Sequence, residues 1–149
     1  MKKFFIYYSN SGNGDIVAEF LRDRDFEIIK VETKKKLKRM GFFRIFKYGF
    51  LAMREKRTPI QDMNLKFNED DYVVIGSPIW NDRLSTPIWS LLDQLELNKE
   101  STKFIFYSGG GQANHASEQI KKLGFEKEPL ILKQPTKYIE EAKASCKLI

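Results

Sequence analysis

Three runs of this chain are apolar at nearly every position: Phe4-Phe5-Ile6-Tyr7-Tyr8, Asp71-Tyr72-Val73-Val74-Ile75-Gly76 and Lys103-Phe104-Ile105-Phe106-Tyr107-Ser108. A strand with one face in water alternates apolar and polar residues, so near-continuous apolar runs call for cover on both faces. Each run gives way to turn-forming residues and then to apolar residues spaced three or four apart, the signature of an amphipathic helix. Such helices are expected over Asp15 to Asp23, Thr86 to Leu95, Asn114 to Leu123 and Thr136 to Lys147, with Gly124 in place as a C-cap. Phe26 to Glu32 alternates broadly as a strand, and Pro129 to Leu132 reads as a short edge strand. Strands alternating with helices predict an α/β domain with a parallel sheet. At 149 residues, one domain spanning 1–149 is expected.

Residues 35 to 57 break this rhythm. Ten large apolar residues between Leu37 and Met53 alternate irregularly with lysine and arginine, which predicts a helical crossover broken near Gly41 or Gly49. Its apolar side is expected to pack on the sheet with the cationic heads reaching water, in preference to lying on a membrane surface. The formal charge of +6 is concentrated here. Residues 30 to 57 hold eleven Lys or Arg against Glu32 and Glu55, a local +9, which leaves −3 elsewhere from 15 basic and 18 acidic residues. Such a segment suits an acidic redox partner or, less so, an anionic membrane surface. Its aromatics look like a packing face, so nucleic acid is not expected. The single cysteine, Cys146, forms no intramolecular disulfide and no metal site with a second thiol, and points to the cytoplasm. The first apolar run is too short for a secretion signal, and no segment approaches the roughly 20 apolar residues that span a bilayer.

In open α/β sheets, ligands sit beyond the C-terminal ends of the strands. Three unusual loops fall there. After the first strand come Ser9-Asn10-Ser11-Gly12-Asn13-Gly14, where hydroxyls, an amide and flexible glycines meet a helix N-terminus able to surround a phosphate. The loop has neither the Gly-Lys-Ser/Thr of a nucleoside triphosphate loop nor the Gly-x-Gly-x-x-Gly of a dinucleotide turn. After the third strand come Ser77-Pro78-Ile79-Trp80-Asn81-Asp82-Arg83; Trp80 offers a face to a planar ring and Asn81 tolerates left-handed backbone geometry. After the fourth come Ser108-Gly109-Gly110-Gly111, where main chain can approach a flat ligand closely. Phosphate at one end and a planar ring at the other are implied. Trp89 on the next helix reads as packing, His115 as a surface histidine near a helix cap, and Asp82 and Arg83 as an exposed pair. Neither a catalytic residue nor a metal ligand is singled out.

On these motifs the chain resembles the flavodoxin family. Ser9-Asn10-Ser11-Gly12-Asn13-Gly14 is similar to that family's Thr/Ser-x-Thr-Gly-Asn-Thr phosphate loop, and Ser77-Pro78-Ile79-Trp80 to its Ser-Pro-x-Trp flavin loop. The resemblance extends through Ser108-Gly109-Gly110-Gly111 and implies a flavodoxin-like, doubly wound five-stranded parallel sheet, order 2-1-3-4-5, with helices on both faces. It further implies flavin mononucleotide (FMN) as cofactor, with Ser9 to Gly14 on the phosphate and Trp80 on the isoalloxazine, in an electron carrier. Gly14 replaces the usual threonine and Asn81 the usual glycine, and no loop tyrosine supplies a second stacking face. The open ring face keeps an NAD(P)H-dependent flavin or quinone reductase as the alternative.

Overall fold

The chain is described by a computed structural model that covers residues 1–37 and 42–149. Its elements in order are β1 (Lys3–Tyr7), α1 (Asn13–Arg22), β2 (Phe26–Lys30), α2 (Phe42–Met53), β3 (Tyr72–Trp80), β4 (Arg83–Leu84), α3 (Thr86–Gln94), β5 (Lys103–Ser108), α4 (Asn114–Lys122), β6 (Leu130–Lys133) and α5 (Ile139–Cys146). The sheet runs β2-β1-β3-β5-β6, all parallel, and β4 hangs antiparallel on β3. Apart from that short β4, the order equals the 2-1-3-4-5 expected for the parallel strands, and the fold is flavodoxin-like.

Why the apolar runs are unbroken is plain from the two sides of the sheet. Phe4, Ile6, Tyr8, Val73, Ile75, Phe104 and Phe106 belong to one core, together with Ala52 of α2, Ile88 of α3 and Ile120 of α4. Phe5, Tyr7, Val74, Ile105 and Tyr107 belong to the other, with Val17 and Leu21 of α1 and Ala142 of α5. Alternate residues of one strand therefore feed opposite cores, as the two-residue period dictates.

Two expectations need correction. The segment Ser77 to Trp80 is strand rather than loop: Ser77 and Pro78 stay in register with Phe106 and Tyr107, and Ile79 and Trp80 pair with Leu84 and Arg83. Proline is tolerated there because β1 has already ended; its last rung is the Tyr8 N–H donating to the Gly76 carbonyl at 3.2 Å, so Pro78 breaks no bond to β1. The helix is also unbroken at Gly49. A Cβ at Gly49 would sit 3.1 Å from the Asn81 Cβ, so the glycine lets α2 lie closely on the β3–β4 turn instead of ending it. The alternative break at Gly41 lies outside the described residues.

Candidate functional site

Each of the three loops expected at the rim is held by specific bonds of its own. Ser9 is buried, and its Oγ accepts the Gly14 N–H at 3.1 Å, which folds the loop over the start of α1. Gly12 is the N-cap residue, with left-handed backbone at φ 90°, and no side chain caps it. With the Gly14 N–H taken by Ser9, the other N–H groups of the first turn are left for an anion. Asn10 adds a sharper sign: its side-chain nitrogen is buried and has no hydrogen-bond partner among the described residues. A buried amide N–H without an acceptor costs about 1–3 kcal/mol, a penalty that a ligand oxygen would relieve. Ser11 is exposed. Asn13 fixes the loop from the far side, its Oδ1 accepting the Thr136 N–H at 3.0 Å and the Thr136 hydroxyl at 2.9 Å.

A small cleft of about 210 Å³ opens beside this loop, lined by Tyr8, Ser9, Asn10, Asp15, Lys30 and Lys36 among others. Asp15, in the first turn of α1, would oppose an anion, but it is engaged by the Lys30 Nζ at 2.8 Å and by the Tyr7 hydroxyl at 2.7 Å. Burial, and then the Asp15 bond, push the Tyr7 hydroxyl well above the ordinary tyrosine range; burial does the same for Tyr8 and Tyr107. All three stay protonated at neutral pH and act as O–H groups, the Tyr107 hydroxyl donating to the Tyr8 carbonyl.

At the other end of the rim, Trp80 is inside the core rather than open to the cleft, with 3 % of its surface exposed. Tyr48 of α2 stacks on it with ring centres 5.1 Å apart and planes 20° from parallel, and Tyr8 meets it edge-on at 6.1 Å. Two aromatic rings with a third between them need about 7 Å, twice the normal contact distance, so this pair admits no further ring as it stands. Tyr48 was not legible as a rim residue. The stacking partner of Trp80 comes from the crossover helix, beside the close Gly49 contact, and from none of the rim loops.

The β3–β4 turn is a two-residue hairpin loop in which Asn81 and Asp82 both have left-handed backbone, φ 49° and 62°. That is the geometry in which Asn and Asp stand in for glycine. Replacing Asn81 by glycine is expected to change stability by less than about 0.5 kcal/mol, and replacing it by valine to lower it by about 1–2 kcal/mol, both read from urea midpoints. Asp82 also receives the ring of His115, with Nδ1 to Oδ2 at 2.7 Å, and the His115 backbone N–H at 3.2 Å. Partial burial works to raise the Asp82 carboxyl, but the bonds from His115 prevail and hold it below the ordinary carboxylate range. The lone histidine thus ties α4 to the hairpin, a pairing between residues 33 apart that no local motif announces.

The remaining candidates divide by exposure. Gly109 and Gly110 are exposed, and a Cβ added to either would meet nothing within 4 Å, so this stretch of main chain faces open space. Gly111 needs its glycine for backbone at φ 78°. Gln134 holds the turn by donating to the Gly109 carbonyl at 2.8 Å, and the Ser108 hydroxyl donates to the Gln112 carbonyl at 2.7 Å. Ser77 is fully buried and its hydroxyl is engaged with Pro78 and with Ser85 at the start of α3; Pro78 is also buried and Ile79 partly so. Those three shape the rim from beneath. Trp89 packs in the core with Arg57 over its ring at 4.8 Å. Cys146 lies in the α1–α5 core, and burial raises its thiol to about 11, far from the rim chemistry. Among the described residues no group of three His, Cys, Asp or Glu side chains could hold a metal ion, and no helix is long and apolar enough to cross a membrane.

No protein-family model and no curated protein sequence matches the chain. Solved structures do. An FMN complex of a flavoprotein from Lactobacillus acidophilus is 20 % identical, with a TM-score of 0.67 over 93 % of this chain and 97 % of that one. A candidate flavoprotein from Bacteroides eggerthii aligns with a TM-score of 0.71 at 17 % identity, over 99 % of this chain and 97 % of that one. General stress protein 14 of Treponema denticola, in complex with FMN, gives 0.54 at 11 % identity, over 99 % of this chain and 94 % of that one. At these identities the likeness is one of fold.

Proposed function

We propose that this chain binds FMN at the rim and passes electrons to and from other redox proteins. The observation that carries the reading is the start of α1: a glycine N-cap with no side chain of its own, beside two serines and a buried Asn10 amide nitrogen that has no partner among the described residues. Structural neighbours crystallised with FMN support the same reading. Ser9 and Asn10 would hold the phosphate with Gly12 and the first-turn N–H groups, while Ser11 closes it from the solvent side. The open main chain of Gly109 and Gly110 would lie along the ring and offer N–H donors to its carbonyl oxygens. FMN, once bound, supplies the redox chemistry; the protein binds it, orients it and tunes its potential.

The phosphate end fits the cofactor as it stands. The ring end fits once Tyr48 leaves the face of Trp80, so the isoalloxazine and Tyr48 compete for one surface. Room for a ring on Trp80 would require Tyr48 to leave that face.

An absorbance titration of the purified chain with FMN tests the reading. Binding with a dissociation constant of about 1 μM or tighter is expected, with two separate one-electron steps on stepwise reduction. Rapid NADPH oxidation by the FMN-loaded chain in the presence of a quinone would select the reductase alternative. Failure to bind FMN at about 100 μM would remove both.

A further inference from the structure

Among the described residues, the outer face of α2 gathers the exposed large apolar side chains more densely than any other element. Nine large apolar side chains are exposed among the described residues, and five of them, including Ile45, lie on this one helix. Four recur at a spacing of three, four and three: Phe43, Phe46, Phe50 and Met53, exposed by 85, 66, 52 and 47 %. At about 100° per residue these four fall within a stripe roughly 80° wide that runs the length of the helix. Tyr48 and Ala52 turn the other way into the core. The packing expected for this segment covers Tyr48 and Ala52 while the outer stripe stays about half exposed or more, and soluble monomers rarely leave such a continuous apolar stripe in water.

Charge accompanies the stripe. Lys47 and Arg54 run along one edge, with the Arg54 guanidinium 5.5 Å from the Phe50 ring, and both are exposed. The helix itself carries no acidic residue. Exposed Lys34, Lys35 and Lys36 precede it and exposed Lys56 follows it; among the described residues none of these, nor Lys47 or Arg54, is in a salt bridge. Phenylalanine along the middle and cations around it make the composition of a helix that lies in a bilayer interface.

We propose that α2 docks flat on an anionic lipid surface, its Phe43-Phe46-Phe50-Met53 stripe entering the headgroup boundary and the surrounding cations meeting lipid phosphates. A second copy is the poorer occupant, because pairing two such stripes brings Lys47 and Arg54 against the same cations of the other helix. An acidic protein is poorer too. The stripe has no polar side chain to set a register, which a specific protein contact needs and a fluid surface does not. Basic charge gathered in residues 30 to 57 of an otherwise acidic chain orients the molecule with this face toward anionic headgroups.

The test is sedimentation of the purified full chain with vesicles of phosphatidylcholine, alone or with about one-third phosphatidylglycerol, at about 20 and about 500 mM salt. Binding to the anionic vesicles at low salt is expected, at least about tenfold weaker at high salt and on the neutral vesicles. The double variant Phe46→Ser/Phe50→Ser should lose about tenfold or more of that binding with its far-UV circular dichroism unchanged, since both side chains are more than half exposed. Lys47→Glu/Arg54→Glu, which leaves the apolar stripe intact, should lose a similar amount. Absence of low-salt binding to anionic vesicles would overturn the proposal, as would undiminished binding by both variants. A dimer in sedimentation velocity that dissociates in Phe46→Ser/Phe50→Ser, without vesicle binding, would give the stripe to a second copy. Salt-sensitive retention on immobilised polyglutamate with none on vesicles would give it to an acidic protein.

Discussion

Replacing Gly14 by threonine, the residue usual in the phosphate loop that this one resembles, is expected to lower the unfolding free energy by about 3 kcal/mol or more. A Cβ at Gly14 would lie 2.6 Å from the Tyr107 hydroxyl, 2.7 Å from Cδ2 of Tyr7 and 2.9 Å from the Ser9 Cβ. None of these can step aside cheaply. Tyr107 is buried with its hydroxyl on the Tyr8 carbonyl, and Tyr7 is stacked on Phe5 at 5.0 Å while its own hydroxyl holds Asp15. Ser9 is fixed by accepting the Gly14 N–H. The missing threonine is therefore a matter of space: two tyrosines fill the volume that its side chain would take. Urea unfolding followed by circular dichroism reads the effect. A Gly14→Thr variant as stable as the parent would mean that the tyrosines are not packed against this turn.

Truncating Tyr48 should separate stability from affinity. With Tyr48→Ala the chain loses a buried aromatic ring, and unfolding free energy is expected to fall by about 3 kcal/mol. FMN affinity is expected to rise by about tenfold or more, because a state in which Trp80 is covered has to be emptied before a ring can stack there, and apparent affinity falls in proportion to the competent fraction. Trp80→Ala should weaken FMN binding instead, since it removes the surface for which the two rings compete. Tyr48→Phe keeps the stack and should leave both quantities close to those of the parent. Denaturation and FMN titration on the same samples supply the two readings. Should Tyr48→Ala bind FMN more weakly, Tyr48 would be a second wall of a sandwich around the ring, and the competition would be wrong.

Local periodicity made the parallel sheet legible, because a strand covered on both faces has no polar face to show, as in Phe4 to Tyr8. The three rim loops were legible for a related reason: Ser9 to Gly14, the Trp80 turn and Gly109 to Gly111 use residue types that ordinary turns do not require together. What escaped was pairing between distant segments. Tyr48 over Trp80, His115 on Asp82, and Asn13 bonded to Thr136 across 123 residues are outcomes of packing that no spacing encodes. Of the two glycines at which a break is expected, Gly49 proves to lie inside an unbroken helix for the same reason. Glycine in a helix commonly marks a break, and only the approach of Asn81 reveals that here it marks a contact. Proline argues against a central strand, yet Ser77 and Pro78 belong to β3, because the early end of β1 removes that objection.

The central claim is that the start of α1 grips a phosphate whose flavin ring extends toward Trp80. Isothermal titration of the chain with FMN and, in parallel, with riboflavin, which has the same ring and no phosphate, tests it most directly. The account predicts micromolar or tighter binding of FMN and binding of riboflavin weaker by about a hundredfold, with the Ser9→Ala and Asn10→Ala variants losing affinity for FMN alone. Equal affinity for the two flavins would place the grip elsewhere and contradict it.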